Sequence, residues 1–469
     1  VRVIDTAVAA ALVIVAVVDG LRWLRVAQRE HYLSGSVTRF ALRWRWVAIG
    51  LGVRGRTSKL AWTRRLRVLA VVALFIHVGI ILAMSAFGLP WSGAALFALL
   101  LVPVTVDAAL LATAPVERRL GGRFVRRAAA KLRTVKPTVV AITGSYGKTS
   151  TKVVLAHLVS GTHSVAASPA SFNNRAGLAR AVNEGLPAGT DVFVAEMGTY
   201  GPGEIAELCS WCPPDIAVMT AIGPVHLERF KNEANIVKAK SEIFARARTL
   251  VVNFDDPWLV PVADATTGKK IVRASATRSD VDAAVIAGDV YVRGALVGHV
   301  DSLTTAPSNV ACAIAAAVEL GVSPEDIVRR LATAPGAAHR LEASTAPSGV
   351  CVLDDTFNSN PAGARRGLAL LKSSGSPTGR KVLITPGMIE LGPRQRAENE
   401  SFAADAAAVV SVIGIVGETN EAALAAGAAR TSAAIERFRT REEAVAWVRA
   451  NLGPGDAVLY ENDLPDHYQ

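Results

Sequence analysis

The sequence predicts an α/β protein, with a phosphate-loop central domain built on a mostly parallel sheet, a second α/β domain after it, and transmembrane helices before it. Three observations lead there. Residues 68–106 contain no Asp, Glu, Lys or Arg. The β-branched run Thr138–Ile142 feeds a glycine turn that ends in Gly147-Lys148-Thr149. Residues 339–469 alternate short apolar runs with helical stretches, the pattern of a parallel sheet with crossover helices.

The N-terminal part is read first. A chain of 469 residues has room for two or three folded units. Its hydrophobic share of 51% and mean hydropathy of +0.32 are high for a purely soluble globule. One helix crossing the hydrocarbon core takes about 20 residues, so the charge-free run is long enough for two. The break falls at Gly88-Leu89-Pro90-Trp91, with spans near 68–88 and 91–112. Asp107 lies inside the second, which costs energy unless it faces protein or the interface. Thr6–Val18, bracketed by Asp5 and Asp19, makes a further span near 4–21 that is marginal in length. Only Arg2 precedes it and no small-residue cleavage site follows, which disfavours a signal peptide.

The net charge of +11 is local. Between Arg22 and Arg67 stand 12 Lys/Arg and one acid, Glu30, and this stretch accounts for the whole excess. A basic segment flanking apolar runs points to an anionic lipid surface and away from nucleic acid as partner. The bias of Lys/Arg places segments 22–67 and 118–136 in the cytoplasm, with only the 88–91 turn outside. Trp23, Trp44, Trp46, Trp62 and Trp91, five of the eight tryptophans, fall here, as suits a headgroup interface. The expected location is a multi-pass cell-membrane protein with cytoplasmic catalytic domains. Four cysteines form one C-x-x-C, Cys209 and Cys212, with Cys312 and Cys351 apart. That is half a zinc site at most, and small apolar packing in a reducing cytosol explains them as well.

After Lys136-Pro137 comes strand, glycine loop, Lys-Thr and helix: Thr138–Ile142, then Thr143-Gly144-Ser145-Tyr146-Gly147-Lys148-Thr149-Ser150, then a helix over 151–159. Glycines let backbone N–H groups converge on phosphate oxygens, and the helix start adds positive potential. Lys148 is placed to reach the outer phosphates and the Thr149 hydroxyl to bind a divalent cation. Ile142 stands where the longer G-x-x-x-x-G-K-[ST] pattern has its first glycine, so the match is to the shorter T-G-x-x-G-K-T.

This loop resembles that of the Mur ligases, and the likeness continues in order. Ala170-Ser171-Phe172-Asn173-Asn174 with Gly177 resembles the family's Asn-Asn loop. Glu196-Met197-Gly198 ends a strand over 192–195. Ala221-Ile222-Gly223-Pro224-Val225-His226, Lys238-Ala239-Lys240-Ser241-Glu242-Ile243-Phe244, Asn309 before an Ala-rich helix, His339-Arg340-Leu341-Glu342 and Asp354-Asp355-Thr356-Phe357-Asn358-Ser359-Asn360-Pro361 complete it. The branch most similar joins D-alanyl-D-alanine to a UDP-N-acetylmuramoyl-tripeptide.

The resemblance implies an ADP-forming peptide ligase. ATP phosphorylates a carboxylate, an amine attacks the acyl phosphate, and ADP and phosphate leave. It implies ATP and Mg²⁺ as cofactors, with Gly144, Gly147, Lys148, Thr149, Ser150, Asn309, Arg340 and Asp355 around the nucleotide. Thr149 and Glu196 would hold one Mg²⁺, His226 a second, and Lys240 would act as a carbamate, an anionic form able to approach the metal. Lys148, His226 and Lys240 are the catalytic candidates, and Asn174 is a candidate for substrate or phosphate. Asp354 is read as structural, at a strand end. Partners would be a peptidoglycan precursor or another carboxylate acceptor, an amine such as D-Ala-D-Ala, and membrane lipid.

The domain plan is an anchor over 1–136, the central ATP-binding domain over 137–338 with a small β excursion over 285–299, and a Rossmann-like C-terminal domain over 339–469. The last has strands expected near 350–353, 381–385, 412–416 and 457–460, and helices near 361–372, 395–408, 420–429 and 441–451. Two features depart from the family. The anchor stands where soluble members carry a UDP-sugar domain, and Tyr460-Glu461-Asn462-Asp463-Leu464-Pro465-Asp466 stands where they have a Lys-Gly-Ser-Arg-type segment. Both touch substrate choice more than ATP chemistry. Other readings are a poly-γ-glutamate-type or other membrane-bound amide ligase, a transport or signalling NTPase, and a catalytically silent scaffold for wall synthesis. Intact Lys148, Thr149, Glu196, His226 and Lys240 count against the last.

Overall fold

The structure is a computed structural model, and it describes residues 2–464 apart from 31, 44–59, 170–171, 304, 338, 358 and 430–432. Trp44, Trp46, Ala170, Ser171, Asn358, Pro465 and Asp466, named above, lie outside the described residues. The chain forms two compact units, one within 1–122 and one within 123–463.

In the first unit, helices Arg2–Arg29 and Arg64–Ala86 are each long and apolar enough to cross a membrane. At 1.5 Å per residue, 23 residues reach about 35 Å, more than the roughly 30 Å hydrocarbon core. The stretch near 4–21 is therefore part of a full-length helix. The stretch expected as one span over 91–112 is a bent pair of helices, which together are long and apolar enough for one broken span. Trp91–Leu100 ends at Leu101, and Val102–Val135 begins with a bend of 69°. Pro103 has no N–H to give the preceding turn, and its ring crowds the carbonyl of Leu99.

Polar side chains tie the helices together at both ends. The Asp5 carboxylate accepts from the Trp91 and Ser92 N–H groups (both 3.0 Å) and from the Ser92 hydroxyl, capping the start of Trp91–Leu100. Gln28, at the other end of its helix, donates to the Ala61 carbonyl at 2.9 Å. The helix Arg2–Arg29 thus runs antiparallel to Arg64–Ala86. Asp107 accepts from Gly35 N–H, Thr38 N–H and the Thr38 hydroxyl (2.8, 2.7 and 2.5 Å). Its apolar surroundings are answered by satisfying the start of helix Ser36–Arg43. Most of the exposed large apolar side chains lie between Val3 and Phe124, with Phe75, Phe87 and Leu100 among the most open.

The second unit holds two sheets. Among the described residues the first has nine strands: β1 Thr138–Thr143, β2 Val165–Ala167, β3 Val192–Glu196, β4 Ile216–Met219, β5 Thr249–Asn253, β6 Lys270–Ser275, β7 Ala283–Ile286, β8 Asp289–Val292 and β9 Ala295–His299. Their order is β2-β3-β1-β4-β5-β6-β7-β8-β9, parallel up to β7 and antiparallel for β8 and β9. Strands such as TVVAIT are apolar throughout because both faces are covered. One face packs on Leu178, Ile205 and Ile236, the other on Leu155, Leu158 and the Ala-rich helix Pro307–Glu319.

The second sheet has β10 Glu342–Thr345, β11 Cys351–Asp355, β12 Lys381–Thr385, β13 Val412–Val416, β14 Ala434–Phe438 and β15 Ala457–Glu461, in the order β10-β11-β15-β12-β13-β14. Only β10 is antiparallel to its neighbour. Residues 137–338 and 339–463 build separate sheets yet cluster as one compact unit.

The chain leaves β1 for β2, returns through β3, and crosses β1 again to reach β4. The strand order reverses around β1, and ligands of open parallel sheets bind at the carboxyl ends of strands where this happens. The register sets Ile142 beside both Glu196 and Val218.

Candidate active site

The phosphate loop leaves β1 at Thr143 and enters helix Lys148–Val159. Two glycines are fixed by sterics. A Cβ on Gly144 (φ 154°) would lie 2.0 Å from the Thr220 hydroxyl, and one on Gly147 (φ 81°) 2.1 Å from Asn309 Oδ1. The loop is thus held between the end of β4 and the Ala-rich helix. The Thr220 hydroxyl also meets the Tyr146 carbonyl, and the Ser145 hydroxyl donates to the Gly223 carbonyl at 3.1 Å. Lys148 Nζ donates to the Gly144 and Ser145 carbonyls (2.9 and 3.3 Å). Ser150 is buried in the first helical turn.

Glu196 ends β3 directly beside this loop and is buried. Its Oε2 accepts from the Thr149 hydroxyl at 2.9 Å and pairs with Lys152 Nζ at 3.0 Å, while Asn173 Nδ2 donates to Oε1 at 3.0 Å. Burial pushes the carboxyl up, but Lys152, Lys148 and Asn173 outweigh it and hold it below the usual carboxylate range. Sequence reading missed Lys152. It sits one turn after Lys148 on the same helical face, and that i, i+4 spacing was the available signal. The neighbouring asparagines divide their roles. Asn173 reaches Glu196, whereas Asn174 caps helix Arg175–Gly185 by accepting from Gly177 N–H at 2.9 Å. The structure thus gives Asn174 a local capping bond, because its oxygen is spent on the helix start.

Lys240 is only 3% exposed, so it is not a surface lysine. Burial, and then the charge of Lys148, lower its pKa well below the ordinary lysine value. His226 follows β4 and meets the Glu390 carboxylate through Nδ1, with the Tyr200 ring edge-on at 4.8 Å. Among the described residues no group of three or more His, Cys, Asp or Glu surrounds a common metal position.

From the second sheet, Asp355 ends β11, with Arg340 and Arg366 beside it. Burial pushes its carboxyl up to about 6 against these two cations. Arg340 stacks on Phe357 at 4.6 Å and feels both Asp355 and Glu196, which sets it between the two sheets' site residues. Asp354 accepts from Thr356 and meets His339 at 2.7 Å, a strand-end role as expected.

Glu461, which ends β15 in register with Asp355, was not singled out in the sequence. It is fully buried, accepts from the Thr385 hydroxyl at 2.7 Å and meets the Ser359 hydroxyl. Burial pushes it up to about 8 from 4.5. Folded protein therefore keeps a proton that the unfolded chain releases, and stability falls as pH rises from about 4.5 to about 8. The loss is about 5 kcal/mol at most. Glu461→Gln should flatten this slope and raise the melting temperature at pH 8. Thermal melts of the full chain in detergent from pH 5 to 9 check it, and parallel profiles for both proteins would refute it.

A phosphate loop at a strand-order reversal, with a buried carboxylate against its Thr hydroxyl and a second parallel sheet bringing an Arg-Asp pair alongside, defines a nucleotide-using α/β protein of two catalytic sheets. Comparison with known proteins gives the family. Residues 142–299 match the Mur ligase middle domain, and residues 339–460 match the domain described as "Mur ligase, glutamate ligase domain". The UDP-N-acetylmuramoyl-tripeptide–D-alanyl-D-alanine ligase of Mycobacterium leprae is 30% identical over 382 residues, 72% of this chain and 73% of that protein. That of Mycobacterium tuberculosis H37Rv is 29% identical over 434 residues, 83% of each chain. A crystal structure of MurF from Acinetobacter baumannii superposes with TM-score 0.61 at 26% identity, covering 73% of this chain and 76% of that one. MurF ligase from Thermotoga maritima in complex with ADP shares the fold, with TM-score 0.63 at 24% identity over 73% and 80% of the two chains. The chain belongs to the Mur ligase family.

Proposed function

We propose that the chain is an ATP-dependent, ADP-forming ligase of peptidoglycan synthesis, anchored in the cell membrane, that joins D-Ala-D-Ala to a UDP-N-acetylmuramoyl-tripeptide or a closely similar acceptor. The observation that carries it is the meeting of Lys148, Thr149 and Glu196 at the β1 and β3 ends, in a chain whose relatives bear that ligase name. A carboxylate oxygen of the acceptor attacks the γ-phosphorus and ADP departs. The amine nitrogen then attacks the acyl carbon, and phosphate departs as the amide forms and the amine loses a proton.

The obstacle in both steps is bringing anions together. Lys148 neutralises phosphate charge by trading its loop carbonyls for phosphate oxygens. Gly144 and Gly147 let loop N–H groups approach. Asn309 braces the loop at Gly147, and Arg340 with Asp355 reaches the nucleotide from the second sheet. Thr149 and Glu196 are adjacent hard oxygen donors and fit Mg²⁺, and His226 and a carbamylated Lys240 would hold a second ion. Bound there, Mg²⁺ supplies positive charge to the transferring phosphoryl group. Lys152 and Asn173 keep Glu196 ionised and aimed.

The anchor reading is supported by the helices Arg2–Arg29 and Arg64–Ala86 and by the end-to-end ties of Asp5 and Gln28. If the 88–91 turn lies outside, these ties put residue 2 outside too, and the basic 22–67 segment inside against anionic lipid. One experiment tests both parts. In sealed inverted vesicles, added ATP, acceptor and D-Ala-D-Ala should release ADP, and trypsin should destroy the activity. Right-side-out vesicles should do neither. ADP release independent of the amine would sink the ligase assignment, and equal trypsin sensitivity in both orientations would sink the topology.

A further inference from the structure

We infer that helix Val102–Val135 leaves the bilayer near its bend and lies along the cytoplasmic surface, seating a row of Val116, Leu120 and Phe124 among anionic lipid headgroups. This rests on the anchor reading above and adds a lipid contact that the spans do not supply. Trp91–Leu100 runs alongside Arg2–Arg29 in the same direction. Asp5 caps its start, Ala94 and Ala98 pack with Val13, and Val102 Cγ1 lies 4.0 Å from where a Cβ on Gly20 would stand. From Asp5 to Gly20 the helix rises about 22 Å at 1.5 Å per residue. Arg22 and Arg25 follow within two turns. The 69° bend therefore falls where the apolar layer gives way to charge. Beyond it the helix has 34 residues, a length of about 51 Å, far more than the roughly 30 Å core, and it is turned toward the membrane plane.

After Pro115 the surface of this helix divides into three sectors. Ala128, Ala129 and Leu132 are buried against the central sheet's core. Lys131 Nζ donates to the Asn183 carbonyl at 2.9 Å, and Asn183 Nδ2 donates to the Phe124 carbonyl at 3.0 Å. Val116, Leu120 and Phe124, at a four-residue step, form an open apolar row, 56%, 52% and 37% exposed. Arg119, Arg123 and Arg127 run beside it at the same step and are exposed as well. Residues 118–136 hold eight Lys/Arg and no acid. Apolar side chains gain by leaving water, whereas guanidinium groups stay out of hydrocarbon, and both demands are met where acyl chains begin beneath phosphates. The sign of the charge selects an anionic surface, each arginine adding about 5-fold to the affinity there. Val104 and Leu111, earlier on the same helix, are also open and apolar, so the row continues the lipid contact of the spans.

The test uses the full chain in vesicles of phosphatidylcholine, alone or mixed with phosphatidylglycerol. Cys209, Cys212 and Cys312 are buried and Cys351 is half-buried, so Cys351→Ser gives a quiet background for one added cysteine bearing a polarity-sensitive fluorophore. Leu120→Cys and Phe124→Cys probe the row. Arg118→Cys probes a point about 200° round the helix from Leu120, and Phe75→Cys the middle of Arg64–Ala86. Quenchers are carried on the lipids, near the headgroups or at the bilayer centre. Both row probes should be blue-shifted and quenched at least about 2-fold more from the headgroup level than from the centre. The Phe75 probe should show the reverse, and the Arg118 probe should stay wet. Arg119→Gln, Arg123→Gln and Arg127→Gln together should weaken the contact by about 10²-fold where phosphatidylglycerol is present, read as loss of headgroup quenching at Leu120. The inference is overturned by row probes as wet as Arg118, by quenching chiefly from the centre, by headgroup quenching that the triple variant leaves unchanged, or by self-quenching between two copies that ignores lipid charge. A wet Phe75 probe refutes the anchor reading itself, whatever the row shows.

Discussion

Lys148→Ala is expected to reduce ADP release by on the order of 10²–10³-fold or more, with the fold intact. Lys148 is the cation of the loop, placed between Glu196 and the buried Lys240. Without it, the outer phosphates must carry their charge into a site that already holds a carboxylate held ionised by Lys152. Steady-state ADP release gives the rate, and thermal melting or circular dichroism gives the fold. The fold should survive because the hydrogen bonds lost go only to the Gly144 and Ser145 carbonyls of the same loop. A variant that turns over at the wild-type rate would remove the phosphate loop from the mechanism.

Lys240→Arg should be as damaging, by about 10²-fold or more. The reason is different. Desolvation and the charge of Lys148 lower the pKa of Lys240, so at a given pH more of it is neutral amine than of an exposed lysine. A neutral amine has a lone pair able to attack CO₂, giving a carbamate and releasing one proton. Arginine keeps its charge and cannot do this. Lowering the pH protonates the amine and disfavours the carbamate, so activity should fall on the acid side. Wild-type protein held in CO₂-depleted buffer should lose activity and regain it with bicarbonate, measured by ADP release. Full activity in Lys240→Arg, or indifference to CO₂, would leave Lys240 as a packing residue.

Much of the fold was legible because parallel strands buried on both faces are apolar from end to end. TVVAI, VFVA and KVLIT announce themselves, and the helices between them follow the 3.6 period. In the second sheet two strands were missed for the opposite reason. β10, Glu-Ala-Ser-Thr, is exposed along its whole length, and β14, Ala-Ile-Glu-Arg-Phe, carries charges. Both are edge strands whose pairing, not composition, makes them strands. The broken helix at 101 was legible in Pro103, but hydropathy alone counted its residues as one span. Asp107 looked anomalous because its partners, Gly35 and Thr38, are some 70 residues away in sequence.

The site divides similarly. Gly144 to Thr149 is local, so its geometry could be read from spacing. Glu196 needed the β1–β3 register, and its partner Lys152 needed the helix phase. Glu390 and Glu461 could not be read from spacing at all. Their meaning arises from contacts between segments more than 75 residues apart.

The bonds that Lys148 makes to its own loop carbonyls also bear on kinetics. The loop stands in its cradle with the lysine as a placeholder, and glycine dihedrals, Thr220 and Asn309 already hold the backbone. Nucleotide arrival then exchanges partners by side-chain torsion, a picosecond-to-nanosecond event, with no refolding of main chain. The speed limit on capture then lies outside the loop's main chain, in the arrival of the nucleotide and the exchange of Lys148's partners.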